Sequence, residues 1–270
     1  MGWIWIVGAS SGIGHALAQE YAKQKARLIL SARNANALQA LKESCLQLGA
    51  QDALVMPLDI NQDQPIQTAV AEVEQRLQAP HGLTKVIVNS GVCEYVDDYP
   101  VDMALMHRVM ETNFFGAIRM TNAVLPLLQK TADRKEPAQL VYVGSSVSYQ
   151  ALPRAHAYGA SKAALRYFAE CLKTDVQKQG IDVRVVSPGF VKTPLTDLND
   201  FDMPFIVPVE EAAQRIIRGL NGTSFDVAFP KRFTWLLKLF SVFPASLKFF
   251  LLGKMSRNEQ GMQDLKGGKQ

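Results

Sequence analysis

The sequence predicts an α/β fold, a doubly wound parallel sheet of about seven strands, Rossmann-like, with helices on both faces and an amphipathic helical extension at the carboxyl end. Short apolar runs alternate with longer amphipathic stretches through the first 230 residues, as in repeated strand–helix units. A glycine-rich turn, Gly8-Ala9-Ser10-Ser11-Gly12-Ile13-Gly14, stands directly between the first apolar run and the first amphipathic stretch. No internal repeat interrupts the alternation, which favours one doubly wound domain over residues 1–230, with 231–270 as extension and frayed tail.

The first strand is Trp3–Val7; it has no basic leader and runs straight into glycines, so it reads as a buried strand and not as a signal peptide. Further strands are expected at Arg27–Leu30, Leu54–Pro57, Lys85–Val88, Gln139–Val143, Asp182–Val186 and Phe225–Phe229. Helical periodicity covers Gly12–Lys25, Asn36–Leu48, Gln64–Gln78, Met103–Gln129, Tyr158–Gln179 and Val209–Leu220. Between Lys192 and Pro208, Pro194, Pro204 and Pro208 stand among aromatic and acidic residues, and a mobile flap over the site is expected there.

Composition excludes several classes. With 48% apolar and 20% charged residues the chain has the balance of a globular protein that needs no covalent staples. A net charge of +4 without a basic, aromatic-interleaved run over most of the chain argues against a nucleic-acid partner. Cys45, Cys93 and Cys171 are far apart and lack ligand spacing, so neither a disulfide framework nor a metal site is expected; they read as reduced, buried small hydrophobes. With no signal peptide or spanning helix, a cytoplasmic location is expected, at the inner face of a membrane if the extension binds one.

The glycine turn has a physical purpose. Glycines let the backbone turn sharply and approach a pyrophosphate, whose charge is stabilised by free amides and the positive end of the helix dipole. A nucleotide-hydrolase loop is excluded because no Gly-Lys-Ser/Thr follows. In such sites a carboxylate at the end of the second strand selects NAD by bonding the ribose 2′-hydroxyl. Here the strand ends Leu30-Ser31-Ala32-Arg33-Asn34, without an acid, so Arg33 is free to pair with a 2′-phosphate and NADP(H) is preferred over NAD(H). The alternative for Arg33 is a solvated strand-end charge. Asp59 and Asn89 fall at the ends of the third and fourth strands, where open sheets bind ligands, although either residue also suits a cap or turn.

Tyr158-Gly159-Ala160-Ser161-Lys162 opens a helical pattern, and the i, i+4 spacing places the phenol and the ammonium on one face. A cation beside a phenol favours the phenolate, so the pair is expected to work as general acid and base near neutrality.

Together these motifs resemble the single-domain branch of the short-chain dehydrogenase/reductase family, from Trp3 to about Phe229. The resemblance implies that Gly8, Gly12 and Gly14, with Ser10, Ser11 and Ile13 between them, bind the cofactor. It implies a catalytic set of Tyr158, Lys162, Asn113 in Glu111-Thr112-Asn113-Phe114-Phe115-Gly116, and Ser145 thirteen residues before the tyrosine, with Ser146 in its place if the intervening loop is one residue shorter. Contacts to the cofactor are further implied for Asp59, Asn89, Tyr158, Lys162 and the segment holding Pro188, Gly189, Val191 and Thr193. Where the family reads Asn-Asn-Ala-Gly this chain has Val88-Asn89-Ser90-Gly91, which leaves Asn89 open between a cofactor contact and a strand-end bond. The activity implied is interconversion of a carbonyl and a secondary alcohol on a small molecule, in a homo-oligomer. Tyr95, Tyr149, Phe190, Phe201 and Phe205, in segments expected to border the site, suggest an apolar substrate. Alternatives are a 3-oxoacyl thioester reductase and a catalytically silent NADP-binding sensor or membrane-associated scaffold; the silent form is disfavoured by the presence of all four catalytic candidates.

From Val227 to Asn258 there is no acidic residue, while Lys231, Arg232, Lys238, Lys248, Lys254 and Arg257 lie in an apolar stretch. Phe233, Leu236, Leu237 and Phe240, then Leu247, Phe250 and Leu251 after Pro244, describe two short amphipathic helices. Residues 231–252 suit peripheral membrane contact, and equally suit packing on the domain, closure of a substrate cleft or a subunit contact.

Overall fold

The computed structural model describes residues 2–77, 81–197 and 199–255. Seven strands, β1 (Trp3–Val7), β2 (Arg27–Ser31), β3 (Asp52–Val55), β4 (Leu83–Val88), β5 (Ala138–Val143), β6 (Ile181–Pro188) and β7 (Asp226–Phe229), form one sheet in the order β3-β2-β1-β4-β5-β6-β7. Every pairing is parallel. The connecting helices are α1 (Gly12–Lys23), α2 (Ala35–Gln47), α3 (Asp63–Arg76), α4 (Met103–Met110), α5 (Gly116–Asp133), α6 (His156–Val176) and α7 (Val209–Leu220).

A strand buried on both faces must be apolar throughout, and its side chains must alternate between two cores. In β1, Trp3, Trp5 and Val7 enter one cluster with Ile66 of α3, Met120 of α5 and Leu165 of α6. Ile4 and Ile6 enter the other with Leu17 of α1, Leu38 of α2 and Ile216 of α7. The buried Trp5 indole N–H donates to the Ser31 hydroxyl at 2.8 Å. Register then aligns the carboxyl ends that matter: Val7 pairs with both Ser31 and Val88, Val88 with Tyr142, and Val143 with Val186. Between β1 and β4 the strand order reverses, which opens the crevice where such sheets hold ligands.

Three expectations are corrected. The helix expected over Met103–Gln129 is two helices joined by a single π-helical turn, Glu111–Phe115. Just after that turn, at Gly116, a Cβ would stand 3.0 Å from Ile60 Cγ2, so the helix backbone lies against Ile60. The third strand runs from Asp52 to Val55 and ends earlier than expected. Asp59 therefore sits in the loop beyond it, although Met56 and Leu58 still donate to the Leu30 and Ala32 carbonyls and keep that loop beside β2. Of the cysteines only Cys45 is buried; Cys93 is half-buried and Cys171 is exposed on α6.

The extension forms α8 (Lys231–Ser241) and α9 (Ala245–Met255), separated at Pro244. The expected frayed tail, Gly261 to Gln270, lies outside the described residues. No helix among the described residues is long and apolar enough to cross a membrane. α8 lies on the domain through buried Phe233 and Leu237. A polar clasp supplements that contact: Asp226 Oδ2 accepts from the Tyr149 hydroxyl at 2.6 Å, Arg166 at 3.1 Å and Lys238 of α8 at 3.2 Å. Burial pushes the Asp226 carboxyl up, but the Tyr149 hydrogen bond and the two cations overcome it and hold its pKa below the ordinary 3.8.

Asp226→Ala removes the carboxylate that Tyr149, Arg166 and Lys238 share and is expected to cost about 3 kcal/mol in urea unfolding at neutral pH. Because the folded pKa is depressed, the part of that stabilisation linked to ionisation is present above pH 3.8 and is lost as pH falls through the lower folded value. The gap between wild type and variant should narrow in acid; a gap that widens there contradicts the clasp.

Candidate active site

At the carboxyl end of β1 the chain turns through Gly8, with φ +89°, and Gly12, with φ +56°, both in the left-handed region that favours glycine. A Cβ on Gly14 would lie 2.1 Å from the Gly8 carbonyl oxygen, so α1 begins pressed against the end of the strand. Asn89, at the end of β4, donates its side-chain amide to that same Gly8 oxygen at 2.8 Å. Ser11 stands at the start of α1 without capping it through its side chain, so no side chain competes with an anion for the first amides.

A cavity of about 360 Å³ lies above this turn. Gly8, Ser10, Ser11, Gly12 and Ile13 form one wall, and Gly14 lies beneath it. Arg33, Asp59 and Asn89 border it, as do Pro188, Gly189, Val191 and Thr193 from the end of β6 and the following loop. Asp59 Oδ1 accepts from the Asn61 N–H at 3.0 Å, so the carboxylate is held in a turn at the rim. Tyr158, Lys162 and Ser145 close the far end.

Tyr158 and Lys162 lie on the first turns of α6, and the Lys162 ammonium stands 5.9 Å from the centre of the Tyr158 ring. Lys162 is buried and donates to the Val143 carbonyl at 2.9 Å. Ser145 accepts the Val147 N–H at 3.2 Å at the start of a short 3-10 turn, and it faces the phenol. Ser146, the alternative serine, is buried and borders only the larger cavity described below. Burial pushes the Tyr158 phenol up to about 12, more than the facing Ser145 lowers it. Burial likewise pushes Lys162 down to about 8. The expected lowering of the phenol by its lysine is therefore not met in the protein alone, because both groups are desolvated and the ammonium is turned toward Val143.

Asn113 is placed by the π turn. Its side chain accepts from the Val92 N–H and donates to the Val92 carbonyl, each at 2.8 Å, and donates to Ser161 Oγ at 2.9 Å. It borders neither cavity directly; it holds the chain after β4 against α6. Gly91 fits between, since a Cβ there would be 3.2 Å from Asn113 Oδ1 and 3.3 Å from Lys162 Nζ.

A second cavity of about 700 Å³ adjoins the first and shares Ser145, Tyr158, Gly189, Leu195 and Thr196 with it. Tyr95, Phe190 and Phe201 line it as expected, but Tyr149 and Phe205 do not. Tyr149 is turned away to Asp226, and Phe205 is exposed beside Phe233. The Lys192–Pro208 segment borders both cavities and is tied down: Val191 bridges Val207, and Tyr95 donates to Asn199 at 2.9 Å. Arg154 pairs with Asp97 and Asp200 and lies over the Tyr95 ring. Arg154, Cys93 and Thr196 also stand at these walls, and nothing in their sequence neighbourhoods marks them. Among the described residues no group of three histidine, cysteine or acidic side chains is placed to hold a metal ion.

Gly14→Ala must displace either α1 or the Gly8 carbonyl. Titration of NADPH fluorescence should show affinity weakened by about tenfold or more, the equivalent of one charge-assisted hydrogen bond. Unchanged affinity would show that the cradle is not the binding site.

Comparison with known proteins agrees with this arrangement. The sequence model described as short chain dehydrogenase matches residues 2–202. An uncharacterized oxidoreductase of Myxococcus xanthus is 32% identical over 243 residues, covering 90% of this chain and 92% of that protein. An 11-beta-hydroxysteroid dehydrogenase A of Arachis hypogaea is 33% identical over 257 residues, covering 87% of this chain and 71% of that protein. Among solved structures, a short chain dehydrogenase of Burkholderia cenocepacia in complex with NADP superposes with a TM-score of 0.77 at 19% identity, over 93% of this chain and 97% of that one. A Burkholderia phymatum enzyme in complex with NAD gives 0.77 at 18% identity, over 88% and 92%. The sheet order, the glycine turn beneath a ligand-sized cavity and the family match over three quarters of the chain lead to one conclusion: this protein belongs to the short-chain dehydrogenase/reductase family and is an oxidoreductase acting on CH–OH or C=O groups.

Proposed function

We propose that the protein is an NADP(H)-dependent oxidoreductase that interconverts a carbonyl and a secondary alcohol on a bulky apolar substrate. The observation that carries this reading is that Ser145 and Tyr158 stand in the wall shared by two unlike cavities, a polar cradle and an apolar pocket. A group bound in the cradle and a substrate in the pocket meet at these hydroxyls.

The cradle suits a dinucleotide: Gly8 and Gly14 leave no room for a side chain, and the start of α1 is uncapped by its serine. Ser10, Ser11, Gly12 and Ile13 are proposed to hold the pyrophosphate, Asp59 and Asn89 the adenine side, and Pro188, Gly189, Val191 and Thr193 the nicotinamide amide. The bound cofactor supplies or accepts the hydride. Ser145 hydrogen-bonds the substrate carbonyl, and Tyr158 donates its phenolic proton as charge develops on that oxygen. Lys162 stabilises the phenolate left behind, and its buried position makes that stabilisation strong. Asn113, whose side chain is occupied by Val92 and Ser161, holds the floor beside Lys162 where a relaying water would sit. Alcohol oxidation follows the same proton path in reverse.

Preference for the 2′-phosphate is supported by Arg33 at the cradle rim, with no acid from Leu30 to Asn34. A bulky apolar substrate is supported by the aromatic lining and by a volume within the range of drug-sized ligand sites. The hydroxysteroid dehydrogenases among the relatives are named for substrates of that character. A homo-oligomer in a reducing, cytoplasmic compartment is proposed as the working form, supported by exposed Phe115 and Tyr167 where the π turn meets α6 and by three free thiols.

Tyr158→Phe should lower turnover about a thousandfold while leaving NADPH binding nearly intact, since it removes the proton and keeps the ring. Wild-type kcat/KM for carbonyl reduction should fall as pH rises through about 8, where Lys162 loses its charge. A variant with full activity would sink the assignment. Arg33→Asp should shift the ratio of kcat/KM for NADPH over NADH toward NADH by about tenfold or more; an unchanged ratio assigns Arg33 to a solvated charge.

A further inference from the structure

The extension exposes an apolar surface that the domain does not cover. α8 presents Phe233 and Leu237 inward, yet Trp235, Leu239 and Val242, spaced i, i+4, i+7 on the opposite side, are 68%, 56% and 74% exposed. On α9, Leu247, Phe249 and Phe250 are 42%, 70% and 60% exposed. A helix apolar on both sides belongs where something covers each side, and a contiguous exposed apolar patch marks a contact.

Charge identifies the cover. Between Asp226 and Glu259 the sequence has no acid, while α8 and α9 carry Lys231, Arg232, Lys238, Lys248 and Lys254. A second copy docked through the same face would set cations against cations. An anionic bilayer offers what this face lacks, apolar depth for the aromatics and negative headgroups for the lysines and arginine.

The same helices roof the larger cavity. Phe233, Leu236, Leu237 and Phe240 of α8 line it, with Leu251 and Lys254 of α9. Leu236 is both a lining residue and 58% exposed, so it stands at the mouth, and that mouth opens beside the uncovered face. We propose that the α8–α9 face docks on an anionic lipid surface, with Trp235, Leu239 and Phe249 as anchors and Lys231 and Arg232 on the headgroups. We propose further that the apolar substrate passes from the bilayer into the cavity between the two helices. This second step rests on reading the larger cavity as the substrate site; the docking itself does not.

The test uses the full-length protein and phosphatidylcholine vesicles made with and without phosphatidylserine. Wild type should float with the anionic vesicles and be released by high salt. Trp235→Ser/Phe249→Ser, changed at exposed positions outside the cavity lining, should remain unbound with an unchanged melting temperature. Lys231→Glu/Arg232→Glu should weaken anionic-vesicle binding by about tenfold or more. With a short water-soluble ketone, the serine pair should oxidise NADPH at the wild-type rate, and with a long-chain ketone delivered in vesicles it should lose about tenfold. Wild type that stays unbound, or floats no better than both double variants, overturns the docking. A concentration-dependent dimer abolished by the serine pair also overturns it, giving the face to a second copy. Docking retained together with equal loss on both ketones overturns the entry route. Wild type that floats but oxidises NADPH with neither ketone refutes the enzymatic reading and leaves the docking standing.

Discussion

The site depends on how closely α1 approaches the end of β1. With Gly14 against the Gly8 carbonyl and the Asn89 amide on that same oxygen, strand, helix and the neighbouring β4 meet within a few ångströms. No side chain fits in that contact, so the amides at the head of α1 face open space at the point where the strand order reverses. The parallel register carries the constraint across the sheet. Once Val7 is level with Val88, and Val88 with Tyr142, the chain leaving β5 must deliver Ser145 to the same edge of the crevice.

The catalytic candidates are arranged around a shared desolvation. Burial raises the Tyr158 phenol and lowers the Lys162 ammonium. Each charge is expensive alone, so a change of protonation at Tyr158 alters the energy of the whole site more than it would at a surface. The lysine is already restrained by the Val143 carbonyl, and Asn113 braces the loop on its other side through Val92. Little reorganisation is needed when charge develops.

The extension answers a different demand. Phe233 and Leu237 line the apolar cavity, and Phe233 packs against Gly189, where a Cβ would lie 2.8 Å from its ring. The absence of a side chain at Gly189 thus lets α8 approach that cavity wall closely. Asp226 fixes the far side of that roof by gathering Tyr149, Arg166 and Lys238. The result is a helix held firmly on its inner face while its outer face remains apolar and uncovered.

Much of this was legible from residue order alone. Alternating apolar runs place the strands because a doubly covered parallel sheet admits few polar positions, and the glycine turn is readable because its steric demand is local. Tyr158 and Lys162 share a helix face by spacing, and Arg33 follows a strand end that lacks an acid. The rest arises between segments distant in the chain. The approach of Gly116 to Ile60 beside the π turn and the bond of Lys162 to Val143 each join distant segments. Arg154 joins Asp97 to Asp200, while Tyr149 turns to Asp226 and away from the substrate cavity. The sequence by itself determined the sheet, the cradle and the chemistry of its side chains, because these follow from periodicity and short spacings. Only the tertiary structure decided which hydroxyl faces which cavity, how burial shifts the proton carriers and what the last two helices cover, because those depend on distances between residues far apart in the chain.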